Sequence, residues 1–209
     1  PAHELLLDAH LYRKFDDKLE LLIAPYYRYT LHPAILYESR MDSSRQVYYG
    51  SKAYFPVEYK NLSSLHELGI QGEIKYHFSS TILGYSSIHY NAILNSYPSE
   101  YLSINLPLYI KSGIRYRSSK LTIESAIQYN GGVSLSPTHS YPIHYGAPLD
   151  SKSVFPAYLL WNTSLAYAPV KQITIITRLD NILNTNYRSY LSTIHGLGRN
   201  FTLMANFHF

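Results

Sequence analysis

The chain has 209 residues and no cysteine, with 46% hydrophobic residues, only 15% charged residues and a formal net charge of +4 at a pI near 9.0. Disulfides, thiolate metal centres and cysteine nucleophiles are thereby excluded, and the Lys and Arg residues are scattered along the chain, without the cluster or helical stripe of a nucleic-acid partner. No run of 18 apolar residues occurs, which excludes a transmembrane helix, whereas 23 tyrosines, apolar in body and polar at the tip, suit a boundary between oil and water.

From the first residues onward the pattern has a period of two, with almost no amphipathic helical stretch. The chain opens on Pro1 with no initiator Met and no signal sequence, which reads as a piece of a longer protein. A first strand is expected over 4–15. A second, over 19–31, puts Leu19, Leu21, Ile23, Pro25, Tyr27 and Tyr29 on one side and Glu20, Arg28 and Thr30 on the other. The third, 62–78, sets Leu68, Ile70, Ile74, Tyr76 and Phe78 against Gln71, Glu73, Lys75 and His77. Strands over 81–92, 104–117 and 120–131 follow, with Lys111 and Arg115, then Glu124 and Gln128, on the polar side. The last three are expected over 157–168, 171–187 and 199–209. In them Arg178 and Asp180 lie opposite Ile173, Ile175 and Leu179, and Phe201, Leu203, Ala205, Phe207 and Phe209 form a wholly apolar set.

The connections carry an independent signal. Very short turns at 16–18, 79–80, 118–120 and 169–172 alternate strictly with long polar stretches near 31–61, 93–104, 131–156 and 188–198. In an up-and-down antiparallel arrangement every second connection lies on the same rim, so one rim is trimmed and the other elaborated. Transmembrane β-barrels have that asymmetry, with short periplasmic turns and longer extracellular loops. The Greek-key connections of a soluble sandwich have no reason to sort by length. A charged Lys or Arg facing lipid at mid-bilayer costs about 2–4 kcal/mol, so Lys75, Lys111, Arg115 and Arg178 are expected to face a polar lumen. The fold class expected is all-β, an antiparallel up-and-down transmembrane β-barrel.

The C-terminal residues resemble the end of a TonB-dependent outer-membrane receptor. "LLWNTSLAYAP" (159–169), a turn and "ITIITRLDNILNTNY" (173–187) are similar to that family's strand, turn and "v.NLfd..Y" pattern, with Asn181, Leu183 and Tyr187 in the expected places. "GRNF" (198–201) resembles the family's "G-R-T-F", and "YKNLSSLHELGIQGEIKYHF" (59–78) resembles a mid-barrel strand. Ile182, Leu183 and Asn184 stand where the family has Leu-Phe-Asp, and Asn200 replaces its Thr.

The resemblance implies that residues 1–209 are about nine C-terminal strands of a larger barrel of about 22 strands, with the plug domain and the front of the barrel lying upstream of this chain. It implies a location in the bacterial outer membrane, contact with membrane lipid, and assembly by the barrel-assembly machinery through a signal in Phe201, Phe207 and Phe209. It also implies energised import of a scarce nutrient complex such as siderophore-iron, haem or cobalamin, driven by a TonB-type energy-coupling protein, with no bond chemistry and no cofactor.

Arg40, Arg45, Tyr48, Tyr49, Tyr141, His144 and Tyr145, in the long connections, are candidates for stacking on and charge-pairing with a small-molecule or metal-chelate ligand. Against this stands the abundance of Tyr everywhere in the chain. Glu73, Lys75, Arg178 and Asp180 are candidates for lumen contacts with a plug, and pairing with neighbouring wall residues is an equal alternative. No metal site is expected, because "HSYPIH" (139–144) lacks helical i, i+4 spacing and neighbouring carboxylates. No G-x-S-x-G elbow marks a Ser hydrolase. A passive porin or adhesin barrel, and a soluble β-barrel or sandwich binding protein, remain as alternatives.

Overall fold

A computed structural model describes residues 2–38, 47–49, 52–54, 57–94, 108–134, 154–189 and 195–207. The strands are β1 (His3–Asp8), β2 (Leu11–Phe15), β3 (Leu19–Leu31), β4 (Ala34–Glu38), β5 (Val47–Tyr49), β6 (Lys52–Tyr54), β7 (Val57–Asn61) and β8 (Ser64–His77). They continue with β9 (Ile82–Ile93), β10 (Tyr109–Arg117), β11 (Leu121–Asn130), β12 (Val133–Ser134), β13 (Val154–Phe155), β14 (Tyr158–Val170), β15 (Ile173–Asp180) and β16 (Asn200–Phe207). Ten of them form one open antiparallel sheet in which β1 and β2 pair with β3 and the order runs on through β8, β9, β10, β11, β14, β15 and β16. Sequence neighbours are sheet neighbours throughout, which is the up-and-down topology expected.

β1 and β2 are one strand with a local fault. His3 pairs with Leu31 and Leu11 with Ile23, the same register, so Ala9 stands opposite Pro25. The Ala9 N–H donates to the Pro25 carbonyl at 3.1 Å. Pro25 has no N–H to return, and the ladder breaks there. A second proline acts similarly in β14, where the register slips between Tyr167 and Val170 around Pro169. With β1 and β2 merged, the described strands of this sheet number nine, as the alternation predicts.

Two of the long connections continue the wall. β4 pairs with β7 in the register that joins β3 to β8, bridged by His32 N–H to Ser63 O and Leu62 N–H to Pro33 O. β12 and β13 likewise prolong the β11 and β14 ladder. The stretch near 31–61, expected as a loop with hairpin character around 47–60, therefore carries two strand pairs, β4 with β7 and β5 with β6.

The strand expected over 171–187 stops at Asp180. Asn181 and Asn184 adopt positive φ of 51° and 53°, a conformation Asn tolerates better than other non-glycine residues, and they turn the chain out of the ladder.

The sheet is a single layer with two unlike faces. Following register from strand to strand, one face carries Leu21, Ile74, Ile88, Ile114, Ile127, Trp161, Ile175 and Leu203, and the other Glu20, Glu73, Lys75, Lys111, Glu124, Ser164, Arg178 and Thr202. No large side chain among the described residues is fully buried, and Ile74 and Ile114 are 43% and 50% exposed. A sandwich would cover that apolar face with a second sheet. Here the described residues supply none.

Candidate functional site

The polar face is built from cross-strand modules, two of which share one design. In the first, Tyr26 on β3 pairs with Gly69 on β8, and its ring lies across the glycine where a Cβ would sit. The Tyr26 hydroxyl donates to Glu67 at 2.8 Å, Asn91 on β9 donates to the same carboxylate oxygen at 3.1 Å, and Arg28 approaches the other oxygen at 3.6 Å. Glu4 on β1 reaches Arg28 at 3.5 Å, so the module ties four strands together.

In the second module Tyr85 on β9 pairs with Gly113 on β10, and a Cβ there would stand 2.7 Å from the Tyr85 hydroxyl. That hydroxyl donates to Glu124 on β11 at 2.5 Å, and Arg115 clasps the other carboxylate oxygen through Nε at 2.8 Å and through its terminal nitrogen at 2.7 Å. Lys111 stands 3.8 Å from Glu124. A ring lying flat over a cross-strand glycine needs that glycine bare, and a carboxylate gripped by Arg and a phenol makes charge-assisted hydrogen bonds.

Between the second module and β15 lies a recess of about 390 Å³, lined in part by Lys111, Glu124, Gln128, Asn162, Arg178 and Asp180. The recess carries both signs of charge and is open to the space the polar face looks onto. Among the described residues no group of three or more His, Asp or Glu is placed to hold a metal ion.

The rim beyond β15 is stapled by Asn181, which is 2% exposed. Its side-chain amide donates to the carbonyls of Thr185 at 2.9 Å and Leu197 at 3.0 Å, and its oxygen accepts from the Thr185 N–H at 2.8 Å. Its own N–H donates to Asn162 Oδ1 on β14 at 2.8 Å. Thr185 Oγ1 donates to Leu159 O, Arg199 N–H donates to Asn184 Oδ1, and the Tyr187 ring packs on Tyr158 with centroids 4.8 Å apart. Both feet of the last long connection are thus fastened to each other and to β14.

The residues singled out from sequence fall into three groups. Glu73, Lys75, Arg178 and Asp180 lie on the polar face, where Lys75 pairs with Glu73 at 2.6 Å and Arg178 with Asp180 at 3.2 Å. Phe201 and Phe207 stand on the apolar face, 64% and 61% exposed, and Phe209 lies outside the described residues. Arg40, Arg45, Tyr141, His144 and Tyr145 also lie outside the described residues, and Tyr48 and Tyr49 are described only as backbone of β5. Sequence reasoning passed over Tyr26, Gly69, Glu67, Asn91, Tyr85 and Gly113. The available signal was the isolated mid-strand glycine, which marks a close approach.

No protein-family model matches the sequence, and no curated protein does. Solved structures do. The copper transporter OprC is similar with a TM-score of 0.75 and 16% identity, over 100% of this chain and 32% of that one. A ferric enterobactin receptor (PfeA) mutant from Pseudomonas aeruginosa has a TM-score of 0.71 and 11% identity, over 100% and 31%. The pyoverdine receptor FpvA from Pseudomonas aeruginosa PAO1, bound to pyoverdine, has 0.64 and 16%, over 100% and 30%. The chain spans about a third of the length of these structures. Their likeness runs along all of it, and its fold is that of the stretch it matches in these transporter and receptor structures.

Proposed function

We propose that residues 1–209 form part of the barrel domain of a receptor in the bacterial outer membrane that imports a scarce nutrient, such as a metal chelate, with energy from the inner membrane. One observation carries the reading: a two-faced, up-and-down sheet whose apolar side has no covering layer among the described residues and whose whole length matches the wall of known transporters. The short-turn rim faces the periplasm and the elaborated rim faces outward. Arg40, Arg45, Tyr48, Tyr49, Tyr141, His144 and Tyr145 belong to that outer rim and take part in capture. Glu73, Lys75, Arg178 and Asp180 present charge to a plug in the lumen, which moves under a TonB-type coupling protein. The wall does no bond chemistry. Phe201, Phe207 and Phe209 give the assembly machinery an aromatic signal, and the outward face meets lipid.

Two measurements test this. The full-length protein, expressed in an outer-membrane host, is expected in the outer-membrane fraction, with a gel mobility that changes on heating. Uptake of a labelled metal chelate by those cells is expected to stop when an uncoupler collapses the inner-membrane gradient. Uptake indifferent to the uncoupler would mean a passive porin, and a protein that stays in solution without detergent would overturn the membrane reading altogether.

A further inference from the structure

The outward face of the ten-stranded sheet, followed by register, carries one Arg, Lys, Asp or Glu among its described residues, and that residue is Arg13 on β2. It pairs with Leu21 and is flanked on its own strand by Leu11 and Phe15, all on the same face. A guanidinium in such company requires an explanation, because lipid-facing charge is costly at depth and falls to about 0–1 kcal/mol near the interface.

The geometry shows how the cost is kept low. Phe15 is the last residue of β2 before the short turn, and the Arg13 guanidinium carbon lies 4.6 Å from the centroid of its ring. The side chain therefore bends toward the short-turn rim, as long cationic side chains do at a hydrocarbon edge. Tyr76, Tyr116, Tyr167 and Phe207 stand outward near the same rim, the belt of aromatic rings that sits at headgroup level in barrels of this kind. The turn carboxylate of Asp17 is engaged by Lys14 at 3.3 Å.

We propose that Arg13 and Phe15 form a headgroup site for a phospholipid of the periplasmic leaflet, with the guanidinium fork on the phosphodiester and the ring against the glycerol and first acyl carbons. Arginine suits this role better than lysine, since its planar fork meets two phosphate oxygens at once and stays charged while resting on an aromatic face. The site rests on the outer-membrane reading above.

The experiment uses full-length protein in a phosphate-free maltoside detergent, folded as judged by heat-modifiable mobility, and examined by native mass spectrometry. The probes are dioleoylphosphatidylglycerol, dioleoylglycerol and inorganic phosphate. Wild type is expected to hold phosphatidylglycerol about tenfold more tightly than Arg13→Gln, a difference of about 1.4 kcal/mol. Arg13→Lys should fall between, and Lys14→Gln should match wild type. Dioleoylglycerol should not bind there, and inorganic phosphate should not compete. Equal retention of the phospholipid by wild type and Arg13→Gln would overturn the site, and so would displacement of the lipid by inorganic phosphate, which would mark a free-anion site. The membrane reading is judged separately, by fractionation: a protein found in the outer membrane whose Arg13→Gln variant binds lipid normally refutes the headgroup site alone.

Discussion

Gly113 and Gly69 are valuable for what they lack. Each lies mid-strand under a tyrosine ring whose hydroxyl reaches a carboxylate one or two strands away, so a methyl group at either position must push the ring off and break that hydrogen bond, and at position 113 it would also stand 2.8 Å from the Ser125 carbonyl oxygen. Gly113→Ala and Gly69→Ala are each expected to destabilise the barrel by about 1–3 kcal/mol, the usual cost of overpacking, read as a lower midpoint in urea unfolding from lipid vesicles. Tyr85→Phe keeps the ring and removes only the hydroxyl. It should cost less, about 0.5–1.5 kcal/mol, because Arg115 still holds Glu124. If Tyr85→Phe proved as damaging as Gly113→Ala, ring placement would not be what the glycine protects. Asn181 permits a similar dissection. Asn181→Gly keeps the positive φ and deletes the side-chain hydrogen bonds to Thr185 and Leu197, whereas Asn181→Ala also adds left-handed strain of about 1–2 kcal/mol. Both should speed amide exchange at Thr185, with the alanine variant worse. Unchanged exchange at Thr185 in both would refute the staple.

Strands were legible in this sequence where one rule sufficed. A sheet with two unlike faces obeys a period of two because each face meets one environment, and so the bounds of β3, β8, β9 and β11 follow from alternation within a residue or two. The rule failed where a partner far along the chain decides. Alternation alone carried the strand over 171–187 past Asp180, but Asn162, nineteen residues earlier, takes the Asn181 N–H, and the backbone turns. The Tyr26 and Tyr85 modules were illegible for the same reason, since a tyrosine finds its glycine only through register. Pro25 lies between these cases: its effect on its own strand is local, but the fault it causes appears in β1 and β2, opposite it. Pro25→Val restores an N–H facing Ala9 and is expected to fuse β1 and β2 into one ladder, stabilising the barrel by about 0.5–1.5 kcal/mol. Amide exchange at Ala9 and His10 would slow. A variant no more stable than wild type, with exchange unchanged there, would mean that the break has another cause.

At the scale of the whole molecule, the claim that matters is that the two faces of one sheet meet different media, and adjacent residues on a single strand can test it. Ile88 and Ser87 are neighbours on β9 that point to opposite sides. Ile88 pairs with Gly72 and Ile110 on the apolar face, flanked on its own strand by Ser86 and the outward Tyr90, while Ser87 pairs with Glu73 and Lys111 on the polar one. An arginine at position 88 would enter the hydrocarbon and cost about 2–4 kcal/mol if the position lies near mid-bilayer. An arginine at position 87 would enter the polar interior beside Glu73, where a new ion pair is worth at most about 1 kcal/mol and offsets the repulsion from Lys111. Urea unfolding of Ile88→Arg and Ser87→Arg from phospholipid vesicles should therefore separate them by about 2 kcal/mol or more, with Ser87→Arg near wild type. A soluble sandwich would bury Ile88 beneath a second sheet, so Ile88→Arg would again be costly, but its penalty would not depend on the thickness of the bilayer. For a barrel wall the penalty should shrink in thinner, shorter-chain vesicles, as the substituted position comes closer to the headgroups, and a penalty independent of chain length would place Ile88 outside the membrane.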